Sequence, residues 1–360
     1  MLLVSCIAPG YAIGADAAPP SAATTATTAP SLSDILAGSG ITASGYVAAS
    51  YYGSSGYNTF HEFDTQHDTF QLDQAGLMVA YQPRQGFGAL VDLIAGEDAR
   101  VLNNLQSGSS GEFAVRQAYL QYVTGPVTLI GGTFTTLAGE EYGNPTQNTN
   151  FSRSLLYFSE PQTHTGVRAT WAVTDTVSLI AGVNNGWNIT STSYGPKTAE
   201  LGVAFTPSTQ FALNVQGYFG KDPDFNADRS LIDFFGTWNV TNALSLVVSY
   251  DWGSQQRSDG AALDWSGVAG YVNYSFNSRW RLSVRAEYLN DEDGYLTGTV
   301  QKLKEGTVTF GYAAARNFEL RLEGRFDKSD QPTFVKSVNT GPVAYDDSQT
   351  ELALQGVYKF

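Results

Sequence analysis

Phe318-Glu319-Leu320-Arg321-Leu322-Glu323-Gly324-Arg325-Phe326-Asp327 sends Phe318, Leu320, Leu322, Gly324 and Phe326 to one side and only charged residues to the other. That period of two is the period of a β-strand, whose successive side chains leave opposite faces. Trp280, Leu282, Val284, Ala286 and Tyr288 alternate in the same way with Arg281, Ser283, Arg285 and Glu287. Charges this dense cannot face lipid, where an Arg or Lys at mid-depth costs about 2–4 kcal/mol, so they face water or one another. Two architectures satisfy this pattern: a soluble sandwich with its charges outside, and a membrane barrel with its charges inside.

The connections decide between them. About sixteen segments of roughly 9–12 residues alternate, the length that crosses a bilayer when tilted. They fall near 41–53, 69–82, 86–97, 112–124, 127–138, 163–173, 177–188, 198–207, 210–221, 229–240, 244–254, 263–276, 280–290, 301–314, 318–328 and 348–360. Short links such as Gln82-Pro83-Arg84-Gln85, Thr124-Gly125-Pro126 and Asn277-Ser278-Arg279 take turns with polar loops near 54–68, 98–111, 139–162, 189–197, 222–228, 255–262, 291–300 and 329–347. An up-and-down membrane barrel has this rhythm because one rim carries tight periplasmic turns and the other long extracellular loops. No fixed repeat of a propeller or solenoid is present. An even strand count returns both termini to the short-turn rim. In 86–97 and 112–124, apolar residues fall on both faces and the parity stays ambiguous.

Composition agrees. Charged residues are 15% of the 360, against 37 Gly, 20 Tyr and 20 Phe, which suits closed sheets with aromatic girdles better than a helical enzyme. No run of eighteen apolar residues suggests a membrane helix. The net charge of −14 argues against nucleic acid as a partner. Cys6 is the single cysteine, so no disulfide framework or cysteine metal site is expected. Residues 1–20 read as the remnant of a secretion signal that lacks its positive start, with the true start expected upstream; Leu3-Val4-Ser5-Cys6 also resembles a lipobox. Residues 21–40 read as a periplasmic linker with one helical turn near 31–36, and 41–360 as the barrel.

Gly132-Thr133-Phe134 through Gly139, Asn150-Phe151-Ser152-Arg153-Ser154, Thr163-His164-Thr165-Gly166-Val167-Arg168-Ala169 and Gly182-Val183-Asn184-Asn185-Gly186-Trp187 resemble the β-barrel porin family of the OmpL-like type. So do Leu72-Asp73-Gln74-Ala75, Arg116-Gln117-Ala118-Tyr119 and Leu322-Glu323-Gly324-Arg325-Phe326-Asp327-Lys328-Ser329. The resemblance spans roughly 40–360. It implies an outer-membrane diffusion channel and supplies no solute. The final Tyr358-Lys359-Phe360 resembles the signal read by the barrel-assembly machinery, with Gly356 one position off the usual glycine.

The loop 139–162 is the main candidate for a constriction. Asn150 is positioned to cap a short helix over Ser152 to Phe158, and Leu155, Leu156, Tyr157 and Phe158 would give it an apolar face for the inner wall. Glu140, Glu141 and Glu160 would then bring negative charge to the lumen and Arg153 one positive group; the plainer alternative is a loop capping the rim. Six of the twenty basic residues precede position 201 and fourteen follow. Arg281, Arg285, Arg321 and Arg325 share inward parity, so they either set a transverse field across the pore against the acidic loop or are neutralised within the wall by Glu287, Glu319 and Glu323.

Other candidates carry less. Asp222, Asp224, Asn226 and Asp228 begin like an EF-hand loop, but Ala227 takes the glycine position; this segment and Asp291-Glu292-Asp293-Gly294 read as solvated loops near lipopolysaccharide. His61 and His67 flank Glu62, Asp64 and Asp68 in the first loop and could form a weak metal site, though three histidines in all show no fixed ligand spacing. His164 reads as a structural rim residue, since no G-x-S-x-G accompanies it. The six Trp and many Tyr read as interfacial anchors, with a saccharide channel left open. The expectation is a porin for small hydrophilic solutes, with outer-membrane lipid around it, a homotrimer as an option, and no cofactor, metal or catalysis. Its rivals are a loop-plugged anchor or adhesin and, further off, a barrel hydrolase.

Overall fold

The structure, a computed structural model, describes residues 38–193, 195–222, 226–337 and 343–360. The expected leader, nearly all of the linker, and Asp224 of the EF-hand-like run lie outside them. Sixteen antiparallel strands close into one barrel: β1 (Ile41–Ser54), β2 (Thr69–Tyr81), β3 (Gly86–Ala95), β4 (Phe113–Thr124), β5 (Val127–Thr135), β6 (Thr163–Ala172), β7 (Val177–Asn184), β8 (Thr198–Ser208), β9 (Phe211–Asp222), β10 (Ala227–Asn239), β11 (Leu244–Gln256), β12 (Ala262–Ser275), β13 (Trp280–Asp291), β14 (Gln301–Ala315), β15 (Phe318–Ser329) and β18 (Ser348–Lys359). A small hairpin, β16 (Phe334–Ser337) with β17 (Ala344–Asp346), stands in the last long loop, and two helices, α1 (Glu97–Ser107) and α2 (Leu155–Ser159), lie in the second and third.

The wall is inside out relative to a soluble protein, as the alternation requires. On β15, Leu322 and Phe326 are exposed while Glu323, Arg325 and Asp327 are buried inside; β13 and β18 follow the same rule. Trp171, Trp238, Trp280, Phe87, Phe276 and Tyr358 flank the short turns on the outer surface, as an aromatic girdle does. Not every tryptophan is an anchor. Trp265 faces inward, fully buried, and Trp187 packs edge-on to it from a loop.

Two features explain the ambiguous parity of β3 and β4. The β3–β4 register shifts between Asp92 and Leu93, so Arg116 is an extra residue on β4, its side chain buried inside. The inner face there is apolar because α1 packs on it: Ile94 and Ala114 meet Ala99 and Leu102. The barrel closes where β18 meets β1. Gly45 and Phe360 exchange both backbone hydrogen bonds at 2.9 Å, and the Phe360 ring lies where a Cβ on residue 45 would go.

Candidate functional site

The loop between β5 and β6 enters the barrel and lies along the β10–β15 and β18 side. It reaches far down the wall: Arg281, at the short-turn end of β13, donates to Thr149 O at 2.6 Å, and Lys359 Nζ to Thr146 O at 3.3 Å. Its helix α2 is capped by Ser154, whose Oγ accepts from Tyr157 N at 2.9 Å. Asn150, expected as the cap, instead donates from Nδ2 to Thr309 Oγ1 at 2.6 Å, because the helix starts later, with Ser154 in the extended cap conformation. The apolar face does what its sequence suggests. Leu155 packs on Leu289, Leu303 and Phe334, and Leu156 on Val247, Ala269 and Tyr271.

The arginine ladder holds this loop. Arg285 Nη1 reaches Glu141 Oε1 at 2.7 Å and Ser152 O at 2.9 Å, while its Nε faces Glu287 Oε1 at 2.9 Å and Glu305 Oε2 at 3.3 Å. Arg325 pairs with Asp327 at 2.8 Å and donates to Arg153 O at 2.6 Å. Arg281 and Arg321 share Glu319, at 2.6 and 2.8 Å, and Arg321 also donates to Pro145 O at 3.0 Å. Glu323 accepts from Phe151 N at 2.6 Å and Ser152 N at 2.9 Å, and Glu287 from Leu155 N at 2.9 Å.

Of the two sequence alternatives, the geometry therefore follows neutralisation within the wall. The expected transverse field, with acids on the loop facing free arginines across an open gap, has no such gap at these residues: the loop lies directly on the ladder. Arg153 donates to Tyr142 O and Phe151 O and sits over the Phe63 ring at 5.3 Å, so it too is engaged. Glu140 is half-buried; burial, with the Glu141 charge beside it, pushes its carboxyl up to about 8. Glu160 leaves this ensemble and meets Asp233 and Asp251.

Sequence reasoning passed over two further interior arginines. Arg116 forks onto Asp92 at 2.8 and 3.0 Å and donates to Gln74 Oε1 at 3.0 Å. Arg168 pairs with Glu200 at 2.7 Å over the Phe134 ring. Both stand within the quoted family stretches, which was the available signal. Of the histidines, His67 meets its neighbour Asp68 and the edge of the Tyr57 ring, and His61 folds inside against Asp64 at 2.5 Å and Asp327 at 3.1 Å. His164, at the first turns of β6, is buried and stacks on Tyr218 with ring centroids 4.8 Å apart, a packing role.

The other side of the interior is less covered. Tyr119, Thr170 and Asn214, inward on β4, β6 and β9, keep partial exposure, whereas Arg285, Glu305, Thr307 and Glu323 are sealed. A closed sixteen-stranded barrel with an apolar outside, a charged inside and an inward third loop is the architecture of an outer-membrane porin.

Residues 40–360 match the family described as "Putative beta-barrel porin-2, OmpL-like", and the chain belongs to it. It is a porin of the bacterial outer membrane. No curated protein matches the chain. Solved structures share the fold at low identity. The in-vitro folded, trimer form of OmpT from Vibrio cholerae is 15% identical, covers 89% of this chain and 99% of its own, and has a TM-score of 0.63. OprB of Pseudomonas putida is 10% identical over 91% and 96%, at 0.62, and the anion-selective porin of Comamonas acidovorans 12% over 89% and 99%, at 0.60.

Proposed function

We propose that the barrel passes small hydrophilic solutes or ions by passive diffusion, through a conduit between the inward loop and the β4–β9 wall. The observation that carries this is the asymmetry of the interior: Tyr119, Thr170 and Asn214 stay partly open while Arg285, Arg321, Arg325, Glu305, Thr307 and Glu323 on the ladder side are buried. In this reading Glu141, Arg153, Arg281, Arg285, Glu287, Glu319, Arg321, Glu323 and Arg325 set the width of the constriction by fixing the loop. No covalent chemistry is part of the function. The exposed apolar band takes membrane lipid, the long loops meet lipopolysaccharide, and the final strand offers its aromatic end to the assembly machinery. A homotrimer follows the form recorded for the Vibrio cholerae relative.

Single-channel recording of the refolded protein in planar bilayers, with reversal potential under a salt gradient, tests the proposal. Stable open steps support it. Silence from a heat-modifiable, folded barrel would replace it with the plugged anchor, a reading that the sealing of the β13–β15 wall favours.

A further inference from the structure

The inward loop ends on three carboxylates that the ladder does not neutralise. Asp233 and Asp251 are direct partners in the β10–β11 register, so both side chains leave the inner face at one level. Glu160, just past α2, comes down onto them. One carboxylate oxygen from each lies within 4.8 Å of the other two, and all three residues are buried. The interior arginines are engaged elsewhere: Arg168 with Glu200, Arg229 with Asp222, and Arg285 with Glu141, Glu287 and Glu305. Among the described residues no ion pair reaches Glu160, Asp233 or Asp251.

Asp233 supplies the second observation. It is 0% exposed, yet neither of its carboxylate oxygens meets a donor at hydrogen-bond geometry; the Gly139 and Phe234 amides lie beside it, and the Asp251 carboxyl faces it. Asp251 Oδ1 is likewise unpartnered, and its Oδ2 has Ser159 Oγ at 3.4 Å. Buried acceptors are almost always met by a donor or a cation. The chain is shaped to make this approach. Gly139 has φ +76°, and its Cα faces the Glu160 carboxylate so closely that any Cβ would collide with it. The acidic runs weighed from sequence are a different matter: Asp222 pairs with Arg229, and Asp291 is occupied by Leu296 N and the Thr297 N–H and O–H donors.

We infer that Glu160, Asp233 and Asp251 bind a divalent, oxygen-seeking cation of the calcium type, which clamps the end of the inward loop to the β10–β11 wall. Hard cations of this kind take carboxylate oxygens from separate segments and cross-link them. The ligands lie far apart in sequence and come from two strands and a loop, so the site exists only in the closed barrel.

The test uses the full chain, folded in detergent and stripped with a chelator, titrated with CaCl2 alone by isothermal calorimetry. One saturable site per chain is expected, with Kd of about 10⁻⁴ to 10⁻³ M, the range of extracellular calcium modules. Asp233→Asn should weaken binding tenfold or more, while the chelated variant keeps the heat-modifiable mobility of the parent, because the amide removes a buried charge. Should that variant fail to fold, Glu160→Gln, changed on the loop side, reads the same loss. Asp222→Asn, already paired at the rim, should bind as the parent does. No saturable heat up to millimolar CaCl2, or equal binding by an Asp233→Asn, Asp251→Asn double variant, would overturn the site and leave shared protons as the neutralising charge. Binding is read without conductance, so a silent channel and a metal-free triad are separate results.

Discussion

Arg285 Nη1 and Glu141 Oε1 stand 2.7 Å apart across 144 positions of sequence, and that contact joins the middle of β13 to the start of the inward loop. Glu141 is doubly used: its Oε2 accepts from Ser154 N at 2.6 Å, which presents the helix cap. Around the same guanidinium stand Glu287 and Glu305, so one buried positive charge serves three carboxylates. Breaking a buried pair by removing one partner is strongly destabilising because the other charge is left uncompensated. Arg285→Ala should cost about 3–5 kcal/mol in denaturant unfolding of the detergent-folded barrel. Glu141→Gln, which leaves Arg285 two acids, should cost clearly less. Equal losses from the two would mean that the cluster does not work as one unit.

The loop should also be separable from the barrel. Leu155 fills the space among Leu289, Leu303 and Phe334, and Leu155→Ala removes that filling at about 2–5 kcal/mol. Most of that cost should fall on docking of the loop, because the sixteen-strand hydrogen-bond network is untouched. Trypsin cleavage after Arg153, buried in the parent, should then appear while the mobility of the unheated barrel stays the same. Resistance to trypsin in the variant would show that polar contacts alone hold the loop.

Docking of the β1–β2 loop, which carries His61 and Glu62, and of the inward loop, which carries Glu140, should weaken as pH rises. Burial and Arg325 pull the His61 imidazole down, but Asp64 and the hydrogen bond with Asp327 outweigh them and hold it above its ordinary value. Burial pushes the Glu62 carboxyl up to about 8, and Glu140 reaches about 8 through burial and the Glu141 charge. All three groups bind a proton more tightly docked than free, so their contribution is complete below the free pKa and disappears as pH passes the docked one. For the two glutamates that window runs from about 4.5 to about 8. Asp64, burial notwithstanding, is lowered to about 2 by His61, so it opposes the trend only in strong acid. The thermal midpoint should fall between pH 6 and 9, and Glu62→Gln should shrink that fall. A flat profile would remove these groups from docking.

The barrel was legible because its wall separates two solvents, and that leaves period two in nearly every strand. The exceptions had local causes: at Arg116 an inserted residue breaks the phase, and on β3 the helix α1 makes the inner face as apolar as the outer. That helix itself was hidden, since within Glu97–Ser107 the stripe that packs down amounts to little more than Ala99 and Leu102. The inward loop was readable from Leu155 to Phe158, four large apolar residues in an otherwise polar connection. Which charge meets which was readable within a strand, as for Arg285 with Glu287 and Arg321 with Glu319, but not between strands. Pairing of Arg285 with Glu305, or Asp233 with Asp251, depends on the register between strands, and a period says nothing about register.

The seam gives a sharper test of closure. Gly45→Val puts a branched side chain into the position of the Phe360 ring, so the ring must leave its place or strain the two backbone bonds between these residues. Overpacking of this kind costs about 1–3 kcal/mol. Gly45→Val combined with Phe360→Ala should recover part of the loss, because the ring that collides is gone. A double variant no better than the single would place the fault elsewhere on β1.

Selectivity should be decided on the side of the barrel where sequence reading placed no charges. Arg321 is paired and covered, so Arg321→Gln, which leaves Glu319 its contact with Arg281, should move the reversal potential little. Asn214 faces the interior on β9 and retains exposure. A positive charge there acts on passing ions through water and low-dielectric wall together, which is how rings of side chains set preference in pores. Asn214→Lys should therefore shift the reversal potential towards anions by more than Arg321→Gln shifts it towards cations, and Thr170→Lys should do the same from β6. The opposite ranking would move the conduit back to the ladder, and the inward loop would then have to leave that wall for ions to pass.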